Sequence, residues 1–203
     1  MSSRLTLEQA CEVVARGGLV LYPTETLWGI GGDARRMDVV QRILACKGIA
    51  QHRPFPVLAD SVLGVQQICP PNLAGMDDLV RQFWPGGLTL AVPVNDPDLE
   101  RCVGLNGQVG LRLSALDVPT ELARACGGFL VSTSANATGA PPPLSLAQIA
   151  PPILQAADGV VGAGVLAGGD PSTLLVYQRG SWSVGRVGAI PLDALRGLVD
   201  LQE

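Results

Sequence analysis

Histidine is almost missing from this chain: His52 is the only one in 203 residues. That excludes a histidine-rich zinc site and leaves a single imidazole for any Ser-His or Cys-His pair. Lysine is just as scarce. Of 14 basic residues, all but Lys47 are arginine, so the one lysine calls for a role. The five cysteines (Cys11, Cys46, Cys69, Cys102, Cys126) stand singly without a C-x-x-C, and an odd number cannot complete a disulfide framework. Reduced, mostly buried thiols are expected. No apolar run is long enough to span a bilayer, and Met1-Ser2-Ser3-Arg4 lacks a signal-peptide apolar region. No membrane partner and a cytoplasmic location are the resulting expectation. An excess of positive charge is missing too: the formal net charge is −4, so any RNA contact has to come from a local patch.

What is present is an apolar chain, 47% hydrophobic, long enough to bury a core without disulfides or a metal. There is no repeat and no low-complexity linker, and one domain over residues 1–203 is expected. Helical and strand patterns alternate, which indicates an α/β fold. Thr6-Leu7-Glu8-Gln9 is a capping box opening a helix that ends at Gly17-Gly18. Leu19 to Tyr22 reads as a buried strand. Asp38 is expected to cap a helix running to about Lys47, followed by a short strand from Phe55 to Ala59. A helix is expected from Asn72 to Phe83, stopped by the turn Trp84-Pro85-Gly86-Gly87. Strands are expected at Leu88 to Val94, Val109 to Leu113 and Phe129 to Val131, with a helix opening at Pro119 and a loop from Ser132 to Pro143. Short helices near residues 144–149 and 153–157 precede strands at 160–161, 174–177 and 184–187. A terminal helix covers 191–198. Together these patterns predict a twisted, mixed sheet surrounded by helices.

The P-loop pattern G-x-x-x-x-G-K-[ST] is absent. Gly29-Ile30-Gly31-Gly32-Asp33-Ala34 matches G-x-G-x-x-A but opens no helix and has no acidic residue about twenty positions on, so a dinucleotide site is disfavoured. Four other segments carry more. In Tyr22-Pro23-Thr24-Glu25-Thr26-Leu27-Trp28-Gly29, hydroxyls and a carboxylate follow a strand, where ligands often sit; an ordinary ST-turn would look the same. Lys47 and Arg53 can hold phosphate oxygens, although a lysine at a helix end also offsets the dipole. Ser132-Thr133-Ser134-Ala135-Asn136 is either an anion-binding nest or a polar turn. Ser134 as a nucleophile would need His52 or Lys47 as its base, and no G-x-S-x-G elbow is present. Arg112, flanked by Leu111 and Leu113, should face away from both, and it needs a carboxylate or phosphate partner there. Ser172, Thr173 and Arg186 complete the set.

Read in order, these segments resemble the YrdC-like family. The Tyr22–Gly29 segment is similar to its Y-P-T-[DE]-T-x-[YF]-G. Phe83-Trp84-Pro85-Gly86-Gly87-Leu88-Thr89 resembles W-P-G-P-[LV]-T, and Gly110-Leu111-Arg112-Leu113 resembles V-R-x-P. Ser132 to Gly139 is close to S-T-S-A-N-x-S-G, and Ser172-Thr173-Leu174 and Gly185-Arg186-Val187-Gly188 resemble S-T-[IV] and L-R-x-G. The resemblance spans about residues 6 to 200.

This resemblance implies an α/β twisted mixed parallel and antiparallel sheet around a large central cavity. It also implies a nucleotidyltransferase activity. L-threonine, bicarbonate or CO2, and ATP would give threonylcarbamoyl-AMP and pyrophosphate, ATP being a substrate accompanied by Mg²⁺. Partners would be downstream threonylcarbamoyl-transfer proteins and tRNA or double-stranded RNA. By position, Lys47 would meet the nucleotide phosphates, and Ser134 and Asn136 the ATP or adenylate, these three being the catalytic set. Thr24 and Arg112 would help hold threonine. Thr26, Arg53, Thr133, Ser172, Thr173 and Arg186 would complete the binding site. No metal held by the protein alone is expected, Glu25 being a candidate to share Mg²⁺ with the phosphates. The chain departs from the family's K-x-R at Lys47-Gly48-Ile49. A missing guanidinium near a triphosphate costs about 1.5–3 kcal/mol, and Arg53 is the candidate substitute. The chain ends soon after Arg186, which reads as the short, single-domain form. The competing expectation is a diverged YrdC-like nucleotide- or RNA-binding protein without synthase activity.

Overall fold

A computed structural model describes residues 3–202. Its strands are β1 (Arg4–Leu5), β2 (Val20–Pro23), β3 (Trp28–Asp33), β4 (Val57–Ala59), β5 (Leu88–Pro93), β6 (Gln108–Leu113), β7 (Phe129–Ser134), β8 (Gly159–Val161), β9 (Thr173–Gln178), β10 (Ser181–Arg186) and β11 (Leu201–Gln202). The helices are α1 (Leu7–Ala15), α2 (Met37–Cys46), α3 (Val62–Ile68), α4 (Met76–Phe83), α5 (Pro97–Val103), α6 (Asp117–Ala125), α7 (Pro151–Ala156) and α8 (Leu192–Arg196). The strands form one 11-stranded sheet in the order β1-β8-β2-β3-β7-β4-β6-β5-β9-β10-β11. Pairing is mixed: β4 with β6 and β5 with β9 are parallel, while β2 with β3, β3 with β7 and β5 with β6 are antiparallel.

Strand alternation divides the apolar side chains between two cores. Leu19, Leu21, Val57, Ala59, Phe129 and Val131 enter one, with Val39, Val40 and Ile43 of α2 and Leu99 of α5 packed there as well. Their alternates Val20, Tyr22, Leu58 and Leu130 enter the other, covered by Ala10 and Val14 of α1 and by Leu122 and Ala123 of α6. Each leucine buried to this degree stabilises the fold by about 1.5–3 kcal/mol before entropy is counted. On the second face α1 and α6 pack against β2, β4, β7 and β8. Further along that face the alternates turn polar. Thr89 lies between Leu88 and Leu90, Arg112 between Leu111 and Leu113, and Ser132 follows Val131. The polar face is where the cleft forms.

Several local expectations hold and several shift. The capping box on α1 forms: Thr6 Oγ1 accepts from Gln9 N at 3.2 Å, and Gln9 Oε1 accepts from Thr6 N at 3.0 Å. The second helix is not capped by Asp38. Its cap residue is Arg36, and Asp38 sits in the first turn, where it accepts from the Arg36 guanidinium at 2.7 and 3.1 Å. The helix expected from Asn72 starts only at Met76, because Asn72 (φ 64°) and Gly75 (φ 74°) are left-handed and cannot lie within a right-handed helix. Pro119 lies inside α6, which opens at Asp117. The helices α3 and α5 and the strands β1, β3 and β11 had no clear apolar pattern of their own. The segment expected to be loop from Ser132 remains strand through Ser134, pairing with β3. Gly31 makes that pairing close: a Cβ there would lie 2.2 Å from the Val131 carbonyl oxygen.

Candidate functional site

The sheet register places the charged groups. Leu58 pairs with Arg112 across β4 and β6, Thr89 with Leu174 across β5 and β9, and Arg186 with Leu174 across β10 and β9. Register partners share a sheet face, so Arg112, Thr89 and Arg186 project on one side, opposite Leu88, Leu90 and Leu111 in the first core. They line a cleft of about 490 Å³ whose other walls come from Thr24, Thr26, Gly29, Arg53, Ser132, Thr133, Ser134 and Ser172, with Pro142 and Pro171 at its edge. That volume lies within the usual range for a small-molecule site.

Arg112 is the most firmly held of the cations. Its Nε donates to the Gly86 carbonyl at 2.7 Å, and its Nη2 lies 3.0 Å from Glu25 Oε2. The other Glu25 oxygen accepts from the Ser114 hydroxyl at 2.9 Å and from the Ala115 amide at 3.0 Å. Burial would raise the Glu25 pKa, but the Arg112 charge and these hydrogen bonds hold the carboxyl below the ordinary glutamate value. Arg186 fixes Ser172. Its Nε and Nη2 donate to the Ser172 carbonyl at 3.1 and 2.9 Å, and Nη2 reaches the Ser172 hydroxyl at 3.2 Å. That hydroxyl also meets Thr89 Oγ1 at 2.7 Å. Partial burial, then the neighbouring Arg112 charge, lowers the Arg186 pKa. Arg53 lies over the Phe55 ring, 5.5 Å from its centroid. Among the described residues no carboxylate pairs with Arg53 or Arg186, so the cleft carries positive charge in a chain whose net charge is −4.

The expected site residues therefore separate into groups. Thr24, Thr26, Arg53, Arg112, Thr133, Ser134, Ser172 and Arg186 line one cleft. The Thr26, Thr133 and Ser134 hydroxyls have no protein partner among the described residues and are free for a ligand. Thr24 also closes its own turn, donating to the Leu27 carbonyl at 2.7 Å and accepting from Leu27 N at 3.2 Å. Lys47, Asn136 and Thr173 do not line the cleft. Thr173 is fully buried and braces the chain after β10: its hydroxyl donates to the Ile190 carbonyl at 2.7 Å and accepts from Gly188 N at 2.9 Å and Ile190 N at 3.0 Å. Asn136 donates through Nδ2 to the Ala140 carbonyl, and its Oδ1 is buried without a partner. The Lys47 Nζ donates to the Ser134 and Asn136 carbonyls, each at 2.6 Å. His52 is exposed, and no hydrogen bond joins it to Ser134, so the serine-hydrolase arrangement does not form.

Glu25, the candidate to share Mg²⁺ with the phosphates, is paired with Arg112 and accepts from Ser114 and Ala115. Among the described residues no cluster of three His, Cys, Asp or Glu could hold a metal ion. Sequence reasoning missed Thr89 as a cleft residue; Ser132, part of the expected polar segment, also lines the cleft, and its hydroxyl accepts from Tyr22 at 2.6 Å. The available signal was the same as for Arg112, a polar side chain alternating with core residues in a strand. Ile49, where the K-x-R pattern has arginine, packs against the first core.

Comparison with known proteins adds three findings. A family model for Sua5, YciO and YrdC proteins, described as telomere recombination, matches residues 12–188. The threonylcarbamoyl-AMP synthase of Xanthomonas campestris pv. campestris (strain B100) is 36% identical over 157 residues, 76% of this chain and 84% of that protein. The threonylcarbamoyl-AMP synthase of Xanthomonas oryzae pv. oryzae (strain PXO99A) is 33% identical over 186 residues, 89% of this chain and 97% of that protein. Among solved structures, P. abyssi Sua5 complexed with L-threonine superposes with a TM-score of 0.86 at 24% identity, covering 100% of this chain but 62% of that longer one. At that identity the likeness is one of fold.

Proposed function

The chain belongs to the Sua5/YciO/YrdC family, and on that premise we propose that it is a threonylcarbamoyl-AMP synthase. It joins L-threonine, bicarbonate or CO2, and ATP into threonylcarbamoyl-AMP and pyrophosphate. The product then serves tRNA modification through separate transfer proteins in the cytoplasm. The observation that carries this reading is the cleft itself: three arginines, one carboxylate already paired, and free hydroxyls. Such a lining suits a substrate rich in phosphate and carboxylate charge.

In the reaction bicarbonate, where it is the source, loses water to give CO2, and the threonine amine adds to CO2 to give a carbamate, losing one proton. A carbamate oxygen attacks the α-phosphorus of ATP, and the bond to the β-phosphate bridging oxygen breaks to release pyrophosphate. Neither step needs a covalent enzyme intermediate. Arg112, aimed by Glu25 and Gly86, holds a carboxylate on the reacting face. Arg186 and Arg53 offset phosphate charge, and the Thr133 and Ser134 hydroxyls orient oxygens. Mg²⁺ accompanies ATP in such reactions, and the cleft residues offer it no free carboxylate. Outside the cleft, Arg36, Arg42 and Arg124 are ion-paired with Asp38, Asp158 and Glu121. This supports weak direct contact with RNA, tRNA being met chiefly through the partner proteins.

Pyrophosphate release that requires ATP, L-threonine and bicarbonate together establishes the synthase. Saturable ATP binding without such release establishes the second reading, a nucleotide-binding relative, which the apolar placement of Ile49 favours.

A further inference from the structure

The only lysine of the chain is not used as a surface charge. Lys47 follows the last residue of α2 and is 3% exposed. A lysine at that position ordinarily offsets the carbonyl end of its own helix. Here the ammonium crosses instead to the segment after β7, donating at 2.6 Å to the Ser134 carbonyl and at 2.6 Å to the Asn136 carbonyl. The main chain of Lys47 reaches the same segment: its carbonyl accepts from the Thr138 amide and from the Thr138 hydroxyl, each at 3.3 Å. Ala135, between the two bonded carbonyls, is fully buried and donates to the Trp28 carbonyl at 2.8 Å. Residues 134 to 138 are thus held from α2 on one side and from β3 on the other.

This arrangement constrains the turn. An ammonium has three donors and no acceptor, and two of its donors are committed to backbone carbonyls here. Each bonded carbonyl belongs to a planar peptide whose N–H points the opposite way. Holding the Asn136 oxygen toward Lys47 therefore turns the Ala137 N–H away from it. No carboxylate among the described residues pairs with Lys47. Burial first, and then the Arg53 charge, lowers its pKa to about 8.

We propose that Lys47 is a positioning residue that acts through the Ser134–Asn136 backbone and does not touch the nucleotide phosphates. It holds the turn that carries Ser134 to the cleft wall, and phosphate charge is met by Arg53 and Arg186. The proposal rests on the synthase reading of the cleft for its ligand, but the clamp is a property of the unliganded chain and is testable alone.

A single lysine makes a direct test practical. In protein labelled with ¹⁵N-lysine, one side-chain ammonium resonance reports on Lys47 without mutation. In the unliganded protein we expect it to be protected from solvent exchange, and to stay unshifted when ATP is added. Free exchange, or a shift that saturates with ATP, overturns the proposal. The second arm compares AMP, ADP and ATP affinities for the wild type and Lys47→Met by calorimetry, below the melting temperature of both. A clamp acting through the turn gives the same loss for all three nucleotides, about ten-fold. A loss that grows with each added phosphate overturns it. If the wild type binds no adenine nucleotide, the synthase reading fails, and the exchange measurement still decides the clamp.

Discussion

Replacing Glu25 by glutamine should loosen Arg112 while leaving it in the cleft. The carboxylate forms an ion pair with Arg112 Nη2 and accepts two hydrogen bonds, from the Ser114 hydroxyl and the Ala115 amide. Glutamine keeps one acceptor oxygen but loses the charge. Breaking a fully buried ion pair costs about 3–5 kcal/mol, and an exposed one about 0.2–1 kcal/mol. With the Arg112 and Glu25 side chains 18% and 26% exposed, this pair lies between those limits. A loss of about 2 kcal/mol is expected. For a chain of this size that lowers the melting temperature by about 4–8 °C. A freed Arg112 also meets threonine less well, so the threonine KM should rise about ten-fold, with kcat changed less. Calorimetric melts and threonine-dependent pyrophosphate release measure the two effects. The pH dependence follows from the depressed carboxyl. Below its ordinary value of 4.5 the unfolded chain binds this proton before the folded one does. The pair's contribution is therefore complete above that pH and is lost as the pH falls through the lower, folded-state value. The gap between wild type and Glu25→Gln should thus shrink as the pH is lowered below 4.5. A variant that melts with the wild type at neutral pH and keeps its threonine KM would refute the reasoning.

Arg186→Ala should reduce kcat/KM for ATP about 10- to 100-fold, the scale of one charged hydrogen bond, and it should also release Ser172. Unchanged kinetics would remove Arg186 from the site. Ile49→Arg places a charge where Ile49 packs on the core, so lower thermal stability and no gain in activity are expected. A gain in pyrophosphate release would show instead that the family's guanidinium was a true loss. Thr173→Val leaves the Gly188 and Ile190 amides and the Ile190 carbonyl without their partner. It should cost about 2–4 kcal/mol in a denaturant titration. At low temperature the folded variant should keep its ATP KM, and a selective rise in that KM would place Thr173 at the substrate.

The class of fold and most residues of the candidate cleft were legible in the sequence. Alternation in Leu88-Thr89-Leu90 and Leu111-Arg112-Leu113 sends the polar member to the face opposite the core, and that rule alone forecast how Arg112 points. The capping box at Thr6 and the stop at Gly17 are local chemistry and appeared as expected. Less was legible in β3, where Gly29, Gly31 and Gly32 give no β signal. That strand exists because β2 and β7 flank it and glycine permits their close approach.

Residue types were thus set locally, while their employment was not. Sequence alone determined that arginines and hydroxyls would stand on strand ends, that a lone lysine would follow a helix, and that Glu25 would lie near the cleft. Only the tertiary structure decided that Thr173 braces Ile190, that Glu25 is engaged by Arg112, Ser114 and Ala115, and that Lys47 reaches the carbonyls of Ser134 and Asn136. Each of these partners is far along the chain, or in a segment whose path is set by packing. A hydrogen bond depends on distance and direction in space, and residue order determines neither until the sheet has brought the strands together.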